Sequence, residues 1–102
     1  VRVNRSIMNN DDFEWDDAKA AANLVKHKVS FEQARRAFAD VFLVEREDDT
    51  EDYGEPRYNL LGMADGKVLL VSYTVRGDIT RIISARGAEP HERRLYHEEN
   101  GQ

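Results

Sequence analysis

A chain of 102 residues, 40% of them apolar, can build one hydrophobic core and is too short for two. With only two prolines the composition is ordinary for a globular chain, the lack of cysteine excludes a disulfide scaffold, and no apolar run approaches the roughly 18 residues of a membrane span. The net charge of −5 would disfavour a polyanionic ligand if it were evenly spread, but residues 1–56 carry 8 Lys/Arg against 14 Asp/Glu while residues 57–86 carry 5 against 2.

In chain order, residues 1–12 (VRVNRSIMNNDD) show no periodicity and read as a loose leader, in which Met8 is an alternative start. They show no secretory pattern, so the chain is expected to be a soluble cytoplasmic protein. Residues 13–99 read as a single domain and residues 100–102 as a tail. Phe13-Glu14-Trp15 is a short strand, and Asp16 stands where a helix N-cap belongs. Helix-forming residues run from Ala18 to His27, with Ala18, Ala21, Ala22, Leu24 and Val25 on one arc. Lys19, Asn23, Lys26 and His27 share the opposite arc. Amphipathic packing then turns the first arc to the core and the second to solvent.

A second helix starts at Ser30, where Ser30-Phe31-Glu32-Gln33 has the capping-box spacing; it buries Phe31, Ala34, Ala37 and Phe38 and ends near Asp40. Beyond it the period falls to 2. VFLVER (41–46) is a strand, EREDDTEDYGE (45–55) runs on as an acidic loop that keeps the protein soluble, and RYNLLGMA (57–64) is the next strand. Asp65-Gly66 suits a tight hairpin, KVLLVSYTV (67–75) is long and β-branched enough to be central, and Arg76-Gly77-Asp78 turns into ITRIISAR (79–86). Glu89-Pro90 opens a terminal helix with proline at its first position. The order β-α-α-β-β-β-β-α predicts an α+β domain, with two helices against one face of a mostly antiparallel sheet and a short C-terminal helix.

No thiolate is present, and His27, His91 and His97 lack zinc-ligand spacing, so neither a metal nor another cofactor is expected. Nucleophile elbows, phosphate-binding glycine loops and dinucleotide fingerprints are absent too. What the sequence offers is basic and aromatic: Lys19, Lys26, His27, Arg57, Tyr73, Arg76, Arg81, Arg86, Arg93 and Tyr96. Such groups suit a phosphodiester, because the arginine fork matches phosphate oxygens and stabilises charge developing in a transition state.

FEWD, Lys26-His27, SFEQA, the Tyr73-Thr74-Val75-Arg76-Gly77 turn, and IISAR followed by Glu92, Arg93 and Tyr96 occur in this order. In that order they resemble the BrnT family of toxins over residues 13–99. The resemblance implies a fold related to the RelE toxins and a metal-independent endoribonuclease acting on mRNA. It also implies a cognate ribbon-helix-helix antitoxin that neutralises the toxin, and operator DNA bound only through their complex. Family members usually read KHGVSF where this chain has Lys28, and a glycine there is a natural left-handed cap. The departure bears on how the helix end sets His27.

Without a metal, the ribose 2′-OH attacks the neighbouring phosphate, leaving a 2′,3′-cyclic phosphate and a 5′-OH. His27 is the side chain whose ordinary pKa suits proton transfer near neutrality. Arg81 and Arg86 are the preferred phosphate donors, with Arg76 third; Lys19, Lys26 and Arg57 are expected to hold the RNA, and Tyr73 to stack on a base. Each residue also has a structural reading. His27 is favoured at a helix C-terminus by the macrodipole, Arg86 or Arg81 can pair with Glu92 or Asp16 to lock the last helix, and Tyr96 can dock it. Strict alternation points residues 81 and 86 to opposite faces, so both reach one site only across a bulge or a strand end. Two further classes stay open: a non-catalytic nucleic-acid-binding module, and a partner whose basic face receives an acidic antitoxin segment.

Overall fold

A computed structural model of the chain describes residues 13–101, so the leader with Met8 and the last residue of the tail lie outside the described residues. The elements follow the expected order: β1 (Phe13–Glu14), α1 (Asp17–His27), α2 (Phe31–Ala37), β2 (Val44–Glu47), β3 (Tyr58–Ala64), β4 (Lys67–Arg76), β5 (Ile79–Gly87) and α3 (Pro90–Glu99). The strands form one sheet in the order β1-β5-β4-β3-β2, with β4 in the middle; β1 pairs parallel to β5 and every other pair is antiparallel.

Local chemistry sets the helix starts. The Asp16 side chain accepts from the Ala18 and Lys19 amides at 2.8 and 3.1 Å. Those two donors, Lys19 first, hold its carboxyl below its ordinary value. Ser30 Oγ accepts from the Gln33 amide at 3.0 Å. Asp65 and Gly66 both take positive φ (54° and 80°), which closes the β3–β4 hairpin with the twist the strands need.

The two sheet faces carry separate cores. Phe31, Ala34, Ala37 and Phe38 pack with Leu60, Ala64, Leu69, Val71, Tyr73, Ile82 and Ala85 on one face. Val44, Leu61, Val68, Ala88 and Tyr96 pack on the other, under α3. Gly62 lets α2 sit down on β3: a Cβ there would lie 2.6 Å from the Ala37 carbonyl oxygen. Tyr96 docks α3 with its hydroxyl donating to Asp40, whose carboxylate also accepts from the Met63 amide at 2.8 Å. Burial and then that bond push the Tyr96 hydroxyl up to about 12, keeping it a neutral donor.

Two expectations are corrected. The apolar arc of α1 faces outward: Leu24 is 48% and Val25 73% exposed, while Asn23 is buried. The reason is that α1 runs along the outer edge of β5, with Ala20 packed against the core. β1 pairs with β5 only at Thr80 and Arg81, so the outer edge of β5 would otherwise continue unpaired beside the helix. Asn23 pairs with it as a strand would, its Nδ2 donating to the Ala85 carbonyl at 2.8 Å and its Oδ1 accepting from the Ala85 amide at 3.1 Å. The second correction concerns β2, which starts at Val44 and not at residue 41. Asp40 Oδ1 accepts from the Phe42 amide at 2.9 Å, and the turn this makes leaves Val41 and Phe42 exposed.

Candidate nucleic-acid interface

The face carrying α3 is only partly covered by it. Register places three cross-strand rows on that face: Val44–Leu61–Leu70–Arg86, then Arg46–Asn59–Ser72–Ser84, then Thr74–Arg81–Glu14. The first row is apolar up to Arg86 and lies under α3. The second is polar, with Asn59, Ser72 and Ser84 half-buried, and the Ser72 hydroxyl donates to Asn59 Oδ1 at 2.7 Å.

Arg81 and Arg86 stand on this same face because β5 is bulged. Ser72 pairs with Ser84 and Tyr73 with Ile82, so Ile83 is an extra residue that no β4 partner matches. The inserted residue resets the alternation, and both Ile82 and Ala85 point into the opposite core. Their neighbours Arg81 and Arg86 therefore point together, away from it. By the same alternation Arg46 and Arg76 belong to this face, giving it four arginines, and Arg57 stands just ahead of β3.

Each of those arginines meets a carboxylate. Arg86 is held by Glu92 through two bonds of 2.8 and 2.9 Å. Arg81 reaches Glu14 at 3.1 Å, not Asp16. Arg76 and Arg57 share Glu55 at 3.3 and 3.6 Å, and Arg46 pairs with Glu99. The Glu92 bonds raise the Arg86 pKa, and Arg86 in turn lowers that of Glu92. The row of hydroxyls and amide thus lies between Glu92 and Glu99 of α3 on one side and Glu14 and Glu55 on the other.

The remaining expected site residues are distributed differently. Lys19 and Lys26 are exposed on α1, beyond the β5 edge. His27 is half-buried one helical turn past Asn23 and on the same helix side, so the Asn23–Ala85 bonds carry it toward the C-terminal end of β5. Lys28 ends α1 in the left-handed conformation (φ 61°, ψ 28°) that a glycine would take without strain. Arg57 lies over the Tyr53 ring, 4.3 Å from its centroid, and is turned onto the acidic loop. Tyr73 is not available to a base. Its ring is fully buried, stacked on Tyr58 and edge-on to Phe38, and its hydroxyl donates to Glu45. The alternation that sets Leu69 and Val71 inward sets Tyr73 inward with them.

Spacing in the sequence missed a possible ligand group at the start of α3, where Glu89, His91 and Glu92 bring their ligand atoms within 4.8 Å of one another. Glu92 is already engaged there, by Arg86 and by the Glu89 amide at 2.8 Å, so an ion would have to displace Arg86. Asn59, Ser72 and Ser84 do not stand out in the sequence, because each is a single polar residue in its own strand and only the register aligns them. Among the described residues, no helix is long and apolar enough to cross a membrane.

A family model described as the ribonuclease toxin, BrnT, of a type II toxin-antitoxin system matches residues 15–92. No curated protein matches the chain.

Proposed function

The chain belongs to the BrnT family of ribonuclease toxins of type II toxin–antitoxin systems, and we propose that it cleaves RNA without a metal on the arginine face of its sheet. The family carries the reaction in outline, a ribonuclease, and the existence of an antitoxin partner. The observation that supports this location is the Ile83 bulge, which turns Arg81 and Arg86 to one side.

In this reading an RNA phosphate exchanges with Glu14 and Glu92 for the guanidiniums of Arg81 and Arg86, and Arg76 serves as the third donor. The 2′-OH attacks phosphorus as it loses its proton, and the 5′-oxygen leaves with a proton, giving a 2′,3′-cyclic phosphate and a 5′-OH. His27 takes one of these proton steps; each is worth roughly 10²–10⁴-fold in rate. Lys19 and Lys26 hold the RNA backbone beyond the β5 edge. Arg57 is assigned to the wall of the site, where it fixes the acidic loop. Arg86 has a second role, favoured by its paired bonds to Glu92: it ties α3 to β5.

The neutralising partner is read as a ribbon-helix-helix antitoxin, with operator DNA bound only through the complex, in the cytoplasm. The test is incubation of the purified chain with RNA in EDTA. Undiminished cleavage with cyclic-phosphate ends is expected. Loss of cleavage that Mg²⁺ or Mn²⁺ restores contradicts the mechanism and points to Glu89, His91 and Glu92 instead.

A further inference from the structure

We propose that Asn59 selects the RNA base at the cut, and that it selects keto bases (uracil, guanine) over amino bases (cytosine, adenine). This rests on the RNA lying across the arginine face as read above. Asn59 sits in the polar row, paired in register with Arg46 on one side and Ser72 on the other. It is half-buried, so it is held and still reachable. The Ser72 hydroxyl donates to its Oδ1 at 2.7 Å, which fixes the amide with its oxygen toward β4 and its NH₂ directed away as a donor.

An asparagine with both ends of its amide available reads adenine, giving a proton to N7 and taking one from the N6 amine. Held toward β4 by Ser72, the oxygen is turned from the base, and the amide meets its partner through its N–H. It therefore bonds uracil O4 or guanine O6, and it faces a second donor where cytosine or adenine carries an exocyclic amine. Arg46, Arg81 and Arg86 add donors and no acceptors. β3 lies two strand spacings, about 10 Å, from β5. A nucleotide lying across the strands then has its phosphate at Arg81 and Arg86 and its base over Asn59.

The experiment maps cleavage sites for the wild type, Asn59→Asp and Ser72→Ala on RNA randomised around the cut. The wild type is expected to favour U and G at one position beside the cut by roughly 10-fold. Asn59→Asp puts an acceptor where the donor was and reverses the preference toward C and A. Ser72→Ala releases the amide, so that its oxygen can turn to the base and admit A. Identical maps for all three proteins overturn the assignment of Asn59 while leaving the ribonuclease reading standing. RNA left intact by the wild type overturns that reading itself, and the assignment with it. If Asn59→Asp does not fold, Ser72→Ala decides alone, because admission of A does not follow from a merely structural role.

Discussion

Arg86 and Glu92 face each other through two N–H···O bonds, Nη1 to Oε1 at 2.8 Å and Nη2 to Oε2 at 2.9 Å. Both side chains are partly buried, at 32% and 15% exposure, and Glu92 also accepts from the Glu89 amide at the start of α3. One carboxylate thus closes the first turn of the last helix and fastens it to the end of β5. The pair makes Arg86 a fold element as well as a phosphate-binding candidate.

Arg86→Ala should therefore lose stability, because it leaves a partly buried carboxylate without its cation; the cost is about 1–3 kcal/mol. Glu92→Gln should cost a comparable amount, and the double substitution less than the sum of the two. Thermal melts of the three variants check this, and strict additivity would show that the pair is not coupled.

The same pair gives a pH dependence. Arg86, with the Glu89 amide, holds the Glu92 carboxyl below its ordinary 4.5 against the opposing effect of burial. A group depressed in the folded state adds stability above its unfolded value, and loses it as pH falls through the folded value. Glu92→Gln should thus be less stable than the wild type at neutral pH and lose less stability below about pH 4.5. Melting temperatures measured down to about pH 3 would contradict this if both proteins fell in parallel.

Asn23→Ala tests the substitute strand. It leaves the Ala85 amide, the Ala85 carbonyl and the Val29 carbonyl without the Asn23 bonds, in a buried setting. At about 1–3 kcal/mol for each buried group left unsatisfied, the loss should be at least about 3 kcal/mol. A fall of under about 1 kcal/mol in denaturant titration would mean that water serves the β5 edge equally well.

Lys28→Gly should stabilise the protein. Relief of the left-handed conformation is worth about 1–2 kcal/mol, partly offset by about 0.4–1 kcal/mol of extra freedom in the unfolded chain. The bond from Lys28 Nζ to the Val25 carbonyl, 3.1 Å and exposed, adds little to set against this. The expected rise in melting temperature is roughly 4 °C. No rise, or a fall, would show that the lysine costs the helix nothing there.

Much of the fold was legible because period and punctuation agree along the chain. Asp16, Ser30, Asp65-Gly66 and Glu89-Pro90 mark the boundaries they suggest, and the β-branched run at 67–75 is the central strand. The orientation of α1 was not legible. Its wheel is amphipathic, but which side turns inward depends on a sheet edge that only the tertiary pairing creates, and Asn23 reads as a surface residue until Ala85 is beside it. The candidate site was half legible. Its arginines stand out in the sequence, whereas one inserted residue at Ile83 decides whether two of them point to one face, and a bulge leaves no mark in a run of apolar side chains. Tyr73 was misplaced because an aromatic near a basic turn resembles a stacking platform until its register is known.

Arg81 gives the most direct test of the central claim, because its role is least entangled with folding. Its pair with Glu14 is partly exposed, at 28% and 41%, and pairs of this kind are worth about 0–1 kcal/mol. The measurement is the rate of RNA cleavage per folded molecule for Arg81→Ala in EDTA, beside its melting temperature. A phosphate donor on the bulge-aligned face predicts a loss of roughly 10²–10³-fold with a nearly unchanged melt. Cleavage at the wild-type rate by a folded Arg81→Ala would remove the arginine face from the reaction.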